Sequence, residues 1–119
     1  MRDYLHLEIW QRSHNLTLKI YSVTKAFPRE EIYGLTSQMR RSAASIPTNI
    51  AEGCGRDSLL ELKRFLTIAA GSSSELQYQF ILSKDLNYIN ETLFKELFEE
   101  ISQIRRMIFS YSEKLKADG

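Results

Sequence analysis

Residues 30–54, EEIYGLTSQMRRSAASIPTNIAEGC, carry the pattern on which the fold prediction depends. Apolar or small residues recur there in steps of three and four, which places them on one side of a helix. They are Leu35, Met39, Ala43, Ile46, Ile50 and Gly53. Pro47 lies inside the pattern, where it removes a backbone donor and opposes the carbonyl of Ala43. Because the stripe keeps its phase through Pro47, the stretch predicts one kinked helix rather than two helices.

Three further segments show the same helical period. They span about 7–27, 57–86 and 90–116. The connections between the four segments are only a few residues long, and short connections make sequential helices antiparallel neighbours. The sequence therefore predicts an all-α protein, an antiparallel up-down-up-down four-helix bundle with a kinked second helix. Residues 1–119 are expected to form this single domain.

Glycines mark positions where the backbone must turn or be approached closely. Gly34 allows a tight turn into the second helix, and Gly53 and Gly55 are expected to end it in a left-handed conformation. Gly71, which is followed by three serines, is expected to let another helix approach the third helix closely. With Trp10 and Pro47, the residues Gly34, Gly53 and Gly71 are the candidates for structural roles.

The composition excludes several classes of protein. The chain has 119 residues, of which 43% are hydrophobic and 26% charged, as in an average soluble domain. No apolar run approaches the roughly 20 residues that span a bilayer, and the N-terminus has no signal-peptide pattern. The only cysteine, Cys54, permits no intramolecular disulfide. These features predict a cytoplasmic protein without a membrane partner.

No residue pattern points to catalysis. A di-metal bundle needs Glu-x-x-His motifs, and neither His6 nor His14 stands in one. Cys54 lies at a predicted helix C-terminus, which raises the pKa of a thiol. No Gly-Lys-Ser/Thr sequence follows the Gly53–Gly55 turn, so this turn is not a phosphate loop. We expect no enzyme activity, no metal, no cofactor and no small-molecule substrate.

The charged residues leave two interpretations open. If the second and third helices fold back near residue 56, Glu75 lies one turn from Arg40 or Arg41 and could pair with either; Glu52 and Arg56 are an (i, i+4) pair. Alternatively, the basic residues form a surface that contacts phosphates. The candidates for nucleic-acid or inter-subunit polar contacts are Gln38, Arg40, Arg41, Asn49, Glu52, Arg56, Lys63, Arg64, Glu75, Arg105 and Arg106.

The aromatic residues exceed what the apolar stripes of one bundle can absorb. The chain has one tryptophan, six tyrosines and six phenylalanines. Tyr4, Tyr33, Tyr78 and Phe94 lie at the stripe edges, which favours a second buried surface and hence self-association. The alternative is that amphipathic tyrosines simply lie at the surface.

Three blocks of the sequence resemble a known family. The stretch 27–53, FPREEIYGLTSQMRRSAASIPTNIAEG, is similar to the second-helix signature of the four-helix-bundle family also called the 23S rRNA intervening-sequence protein family. The stretch 65–79, FLTIAAGSSSELQYQ, resembles its third-helix motif. Trp10 with the downstream Ile20 and Tyr21 resembles its first-helix motif. The resemblance covers nearly the whole chain.

The resemblance implies a small bundle that assembles into a ring-like homopentamer and has no enzymatic activity or cofactor. Many members are encoded inside insertions within bacterial 23S rRNA genes. A related branch, the accessory variability proteins of diversity-generating retroelements, binds nucleic acid and a reverse transcriptase through a basic surface.

Two functional hypotheses follow. The first is a non-enzymatic homopentameric scaffold or protein–protein interaction module. The alternative is an accessory factor that binds structured RNA or DNA, with a reverse transcriptase or ribosomal partner. Sixteen Lys and Arg against fifteen Asp and Glu leave a net charge of +1. This charge favours the first hypothesis, since a nucleic-acid-binding pentamer should be clearly basic.

Overall fold

A computed structural model describes residues 2–118, with side chains for residues 2–115. Two 3₁₀ turns, Tyr4–His6 and Arg29–Glu31, accompany four α-helices. The helices are α1 (Glu8–Thr24), α2 (Leu35–Cys54), α3 (Leu59–Asp85) and α4 (Glu91–Asp118). The part of the chain that the structure describes contains no strand. The prediction of an all-α, four-helix fold is confirmed.

The helices pack around one core, with α1 against α2 and α4, and α3 against α2 and α4. Contacts between α1 and α4 occur in opposite numerical order, because Arg12 reaches Glu100 whereas Lys19 reaches Glu96. This is the order that antiparallel neighbours give. The molecule measures 46 × 24 × 20 Å, and its long dimension matches a helix the length of α3, about 40 Å at 1.5 Å per residue.

The apolar stripe quoted from α2 is buried. Met39, Ile46 and Ile50 have no exposed surface, and Leu35 and Ala43 are almost as fully enclosed. Matching stripes from the other helices complete the core. Its largest fully buried members outside α2 are Ile20, Leu66, Leu76, Phe80, Leu97, Ile101, Ile104 and Ile108.

Pro47 lies inside the continuous helix α2 and is buried. It has no N–H to donate to the carbonyl of Ala43, four residues earlier. The Thr17 hydroxyl of α1 lies 3.0 Å from that carbonyl oxygen and 2.8 Å from the carbonyl of Ser13. A buried carbonyl without a donor costs free energy, so α1 satisfies a group that the proline leaves free. The bend expected at Pro47 stays a prediction.

The start of α2 depends on a carboxylate that folds back over a glycine. The helix begins at Leu35 rather than at residue 30, because residues 29–31 form a separate 3₁₀ turn. Glu31 Oε1 accepts a hydrogen bond from the Leu35 amide at 3.0 Å. Glu31 Oε2 accepts one from the Tyr88 hydroxyl at 2.8 Å. A Cβ on Gly34 would lie 2.6 Å from Glu31 Oε1. Gly34 therefore provides the space in which the carboxylate caps α2.

These two hydrogen bonds also change the acidity of both groups. The Leu35 amide and the Tyr88 hydroxyl stabilise the carboxylate and hold the pKa of Glu31 below its usual 4.5. The same contact with Glu31 raises the pKa of the Tyr88 hydroxyl above its usual range. The α1–α2 connection is thus tied to the α3–α4 connection, where Tyr88 lies.

The left-handed position expected at the end of α2 is wrong. Gly55 follows the helix with φ −84°, a right-handed conformation. Within the described residues, the only positive φ belongs to Asn87, at 64° after α3. Asparagine tolerates this conformation better than other side chains, so the left-handed backbone follows α3 instead of α2.

The close approach of two helices occurs at Gly53, not at Gly71. A Cβ on Gly53 would lie 2.9 Å from Phe65 Cβ and 3.0 Å from Leu62 Cδ1, so α3 packs directly on the α2 backbone. A Cβ on Gly71 would have no heavy atom within 4 Å. The expected role of Gly71 is therefore wrong for contacts within the chain, because this glycine faces outward.

Replacing Thr17 with Val should test the link between α1 and the proline. In the natural background, the loss leaves the Ala43 carbonyl without a donor and should cost about 1–3 kcal/mol. In a Pro47→Ala background, the new backbone N–H supplies that donor, so the same change should cost about 1 kcal/mol less. Denaturant unfolding of the four proteins measures this difference.

Ser73→Ala is the matched control, since the Ser73 hydroxyl bonds the Ala69 carbonyl inside its own helix. Its cost should be the same in the natural background and in the Pro47→Ala background. Equal costs of Thr17→Val in both backgrounds would contradict the link.

Glu31→Gln should remove a pH-dependent part of stability. Because the pKa of Glu31 is lower in the folded chain, its charge stabilises the fold above the unfolded value, 4.5, and loses this effect as the pH falls through the folded value. The melting temperatures of Glu31→Gln and the natural protein should differ most at about pH 7 and converge at about pH 3.

Glu30→Gln is the control, because Glu30 is exposed and makes no hydrogen bond among the described side chains. Its effect should not depend on pH in this way. A constant difference for Glu31→Gln across the range would show that the capping charge contributes nothing.

Candidate interaction surfaces

The candidate polar residues of α2 and α3 meet along one groove. Its lining residues are Gln38, Arg41, Ser42, Ser45 and Glu75. Beside it, Asn49 Nδ2 donates to the carbonyl of Ser45 at 2.8 Å and to its hydroxyl at 2.9 Å. The Ser45 and Ser72 hydroxyls are 2.9 Å apart and link the two helices. Asn49 therefore bonds within α2 to the same Ser45 hydroxyl that contacts α3.

The ion pair considered between Glu75 and the arginines of α2 is not formed. Arg41 and Glu75 are both exposed and border the same groove, but neither forms an ion pair with another described side chain. Arg40 points toward α1 instead. Its Nε donates to the Thr24 hydroxyl at 2.9 Å, and its guanidinium lies 4.8 Å from the centre of the Tyr21 ring. Arg40 thus stabilises the α1–α2 contact.

Two arginines near the junction of α2 and α3 form local pairs. Arg56 lies 3.6 Å from Glu52, and Arg64 lies 3.5 Å from Glu61. Both guanidinium groups also lie about 5 Å from the centre of the Phe65 ring. Because these side chains are largely exposed, the ion pairs contribute little to stability.

The remaining basic candidates lie elsewhere on the surface. Lys63 borders a groove between α3 and α4. Arg105 and Arg106 are exposed on α4 and form no ion pair with a described side chain. Within the described residues, helix α4 does not pack against α2, which carries Arg41. A single chain therefore spreads its basic residues over several faces and does not unite them in one patch.

A partly buried polar link that the sequence did not reveal joins α1 to α4. Arg12, one quarter exposed, donates to Glu100 Oε1 at 2.6 Å and to Gln103 Oε1 at 2.7 Å. It also lies 3.1 Å from the sulfur of Met107. Glu100 and Gln103 are three residues apart and therefore lie on one face of α4. This spacing is the feature of the sequence that could have indicated a polar contact with another helix. Recognising it required the register between the first and last helices.

Part of the aromatic surplus is absorbed within the chain. Trp10 is partly buried, stacks on His14 with ring centres 5.0 Å apart, and meets Tyr4 edge-on at 5.2 Å. Phe94 packs against Phe98 at 5.3 Å. Trp10 thus packs between Tyr4 and His14, and its role in stability stays a prediction.

The rest of the surplus remains at the surface. Tyr33 is 95% exposed, Leu60 79%, and Tyr78 and Phe109 60% each. Tyr33 and Tyr78 were expected at stripe edges, whereas Leu60 and Phe109 were not singled out. Large exposed apolar side chains of this kind mark interaction surfaces when they are contiguous.

The Cys54 thiol and the Tyr111 hydroxyl lie in surroundings that disfavour their charged forms. Cys54 is buried, and this burial raises the pKa of its thiol and disfavours the nucleophilic thiolate. Burial likewise raises the pKa of the Tyr111 hydroxyl. Among residues 2–115, no three His, Cys, Asp or Glu side chains come together as metal ligands would. None of the described helices has the length and apolar character needed to cross a bilayer.

Comparison with known proteins identifies the family. The family model described as "23S rRNA-intervening sequence protein" matches residues 5–110. No curated protein matches the chain. A crystal structure of a protein of unknown function, from the S23 ribosomal protein family of Bacteroides thetaiotaomicron, superposes with a TM-score of 0.79 at 20% identity. The match covers 87% of this chain and 97% of that one, which shows a common fold. Because the family model spans most of the sequence, the chain belongs to the 23S rRNA-intervening sequence protein family.

Proposed function

We propose that this protein is a non-enzymatic scaffold or interaction module that assembles into a homopentamer. The observation that carries the proposal is the set of large apolar side chains at the surface. Tyr33, Leu60, Tyr78 and Phe109 are each at least 60% exposed, although the core already encloses a complete stripe from every helix. Exposed apolar surface of this extent favours burial against another chain.

The charge distribution supports self-association over a charged ligand. The net charge is +1, so copies of the chain repel one another little at long range. Arg12 and Arg40 are used inside the bundle, which leaves fewer basic residues for a partner. Together with the reducing environment that suits the single buried cysteine, these features support a role in the bacterial cytoplasm.

The resemblance supplies the number of subunits. A closed ring of five uses one contact between two different faces of the chain, repeated by rotation. Exposed apolar side chains occur on separate parts of the chain that do not pack on each other, since Tyr33 immediately precedes α2, Phe109 lies on α4, and the described parts of α2 and α4 make no contact.

A mass measurement tests the assembly. We expect native mass spectrometry and light scattering to give particles in multiples of five chains, each of 13.9 kDa, at micromolar concentration. Moderate salt should not dissociate them, because apolar burial is screened little. A monomer at the same concentration would remove the proposal.

The alternative is a nucleic-acid-binding accessory factor, and one observation favours it. Arg105 and Arg106 are exposed and form no ion pair within the described part of the chain. Arg106 also borders the α1–α4 groove together with Lys114. In a ring, five copies of this pair would build a local positive field despite the low net charge.

A binding titration separates the two functions. If the alternative holds, structured RNA or duplex DNA should bind at low salt and lose affinity steeply between about 50 and 200 mM. Arg105→Glu/Arg106→Glu should then abolish binding. Lys95→Glu, an exposed change near the other end of α4, should weaken it little. No binding at low salt would eliminate the alternative and leave the scaffold.

A further inference from the structure

The outer face of α3 is an unpartnered stripe in the middle of the bundle. Opposite the buried residues Leu66 and Phe80, it presents Leu60, 79% exposed, and Tyr78, 60% exposed. Ile68, at 40%, lies between them beside Gly71. No other described helix of the chain covers this face, which we call the α3 stripe. It comprises Leu60, Arg64, Ile68, Gly71, Glu75 and Tyr78.

The α3 stripe is complementary to itself when its direction is reversed. Three pairs of positions lie at nearly equal distances on either side of residues 69–70. The first pair, Leu60 and Tyr78, is apolar. The second, Arg64 and Glu75, carries opposite charges. The third joins the large side chain of Ile68 to Gly71, which has no side chain. In an antiparallel copy of α3, Leu60 would therefore face Tyr78, Arg64 would face Glu75, and Ile68 would face Gly71.

We propose that two copies of this chain pair through their α3 stripes, antiparallel about a twofold axis near residues 69–70. The contact is of one surface with itself and differs from the contact between two faces that closes a ring. It goes beyond the proposed pentamer, because it joins two chains or two rings.

Gly71 supplies the steric argument. Glycine disfavours a helix relative to alanine, and no described contact within the chain requires it here, since an added Cβ would meet no atom within 4 Å. Gly53 shows the opposite case, because α3 itself occupies the space of its Cβ. At Gly71, the space is open for Ile68 of the second copy.

The charged positions supply the second argument. The Arg64 side chain is 61% exposed, and its acidic neighbour is Glu61 of the same helix at 3.5 Å. Glu75 is exposed and forms no ion pair with a described side chain. A twofold axis would form the Arg64–Glu75 pair twice, which also fixes the register of the two helices.

The length of the stripe determines how strong the contact is. Residues 60–78 span about 27 Å of helix, so a single pair buries less surface than a standard stable interface. In a ring whose α3 stripes face a second ring, five such contacts would act together and hold the two rings far more tightly than one pair. The contact is therefore weak between isolated chains and strong between rings.

Charge exchange on the full-length chain tests the proposal. Arg64→Glu and Glu75→Arg should each weaken pairing about tenfold, because each places like charges opposite one another twice. The double variant Arg64→Glu/Glu75→Arg should restore pairing to within about threefold of the natural protein. Gly71→Leu should also weaken pairing about tenfold without lowering the melting temperature, because leucine favours a helix and meets no internal neighbour. Lys95→Glu, exposed on α4, is the control and should leave pairing unchanged.

Native mass spectrometry and light scattering distinguish this proposal from the ring. Particles of ten chains that fall to five in Arg64→Glu would support both. Particles of two chains that fall to one would support α3 pairing and contradict the pentamer. Particles of five chains that none of the α3 variants alters would overturn α3 pairing and leave the pentamer. A natural protein that stays monomeric at the highest attainable concentration would overturn both, and a double variant that fails to restore pairing would overturn the proposed register.

Discussion

The hydrogen bond from the Thr17 hydroxyl to the Ala43 carbonyl is the constraint around which the helices are arranged. It forms because Pro47 lies inside the buried stripe of α2 and has no N–H to donate to the Ala43 carbonyl. In the structure the donor comes from Thr17 of α1, whose hydroxyl also lies near the Ser13 carbonyl. The bond therefore sets the register of α1 against α2, and Arg40, bonded to Thr24, extends the same register by nearly two turns.

The other helix contacts fit around that pair by different means. Helix α3 lies directly on the α2 backbone at Gly53 and is joined to it again through the hydroxyls of Ser45 and Ser72. Helix α4 is tied to α1 through Arg12 and to the bundle end through the turn that contains Tyr88. Polar groups thus specify how the apolar stripes align, since apolar burial alone has no direction.

The sequence was sufficient for the fold because periodicity depends on neighbours within one helix. The stripe from Leu35 to Gly53 could be read without knowing what covers it. It was insufficient for the partners of the polar residues. Glu75 was paired with Arg40 or Arg41 from register arithmetic, whereas Arg40 turns to α1, and a shift of a few ångströms between helices decides such a contact. Arg12 and Thr17 were missed for the same reason.

Glycine was the least predictable residue. The sequence placed the close approach of a helix at Gly71 and the end of α2 at Gly53, whereas the structure has the close approach at Gly53. The two differ only in which side of the helix faces the core, and residue 71 faces away. An exposed glycine inside a helix cannot be told from a packed one by composition alone, because the side of the helix that carries it decides what it meets.

The α1–α4 contact, which includes the polar link through Arg12, is the place where the bundle should open most easily. Between α1 and α4, the described polar contacts are those of a partly solvated arginine and the exposed pair Lys19–Glu96, whereas α3 lies directly on the α2 backbone at Gly53. Local opening proceeds where buried apolar contacts are fewest. The first and last helices should therefore separate before the central pair does, so that α1 and α4 open while α2 and α3 keep the fold.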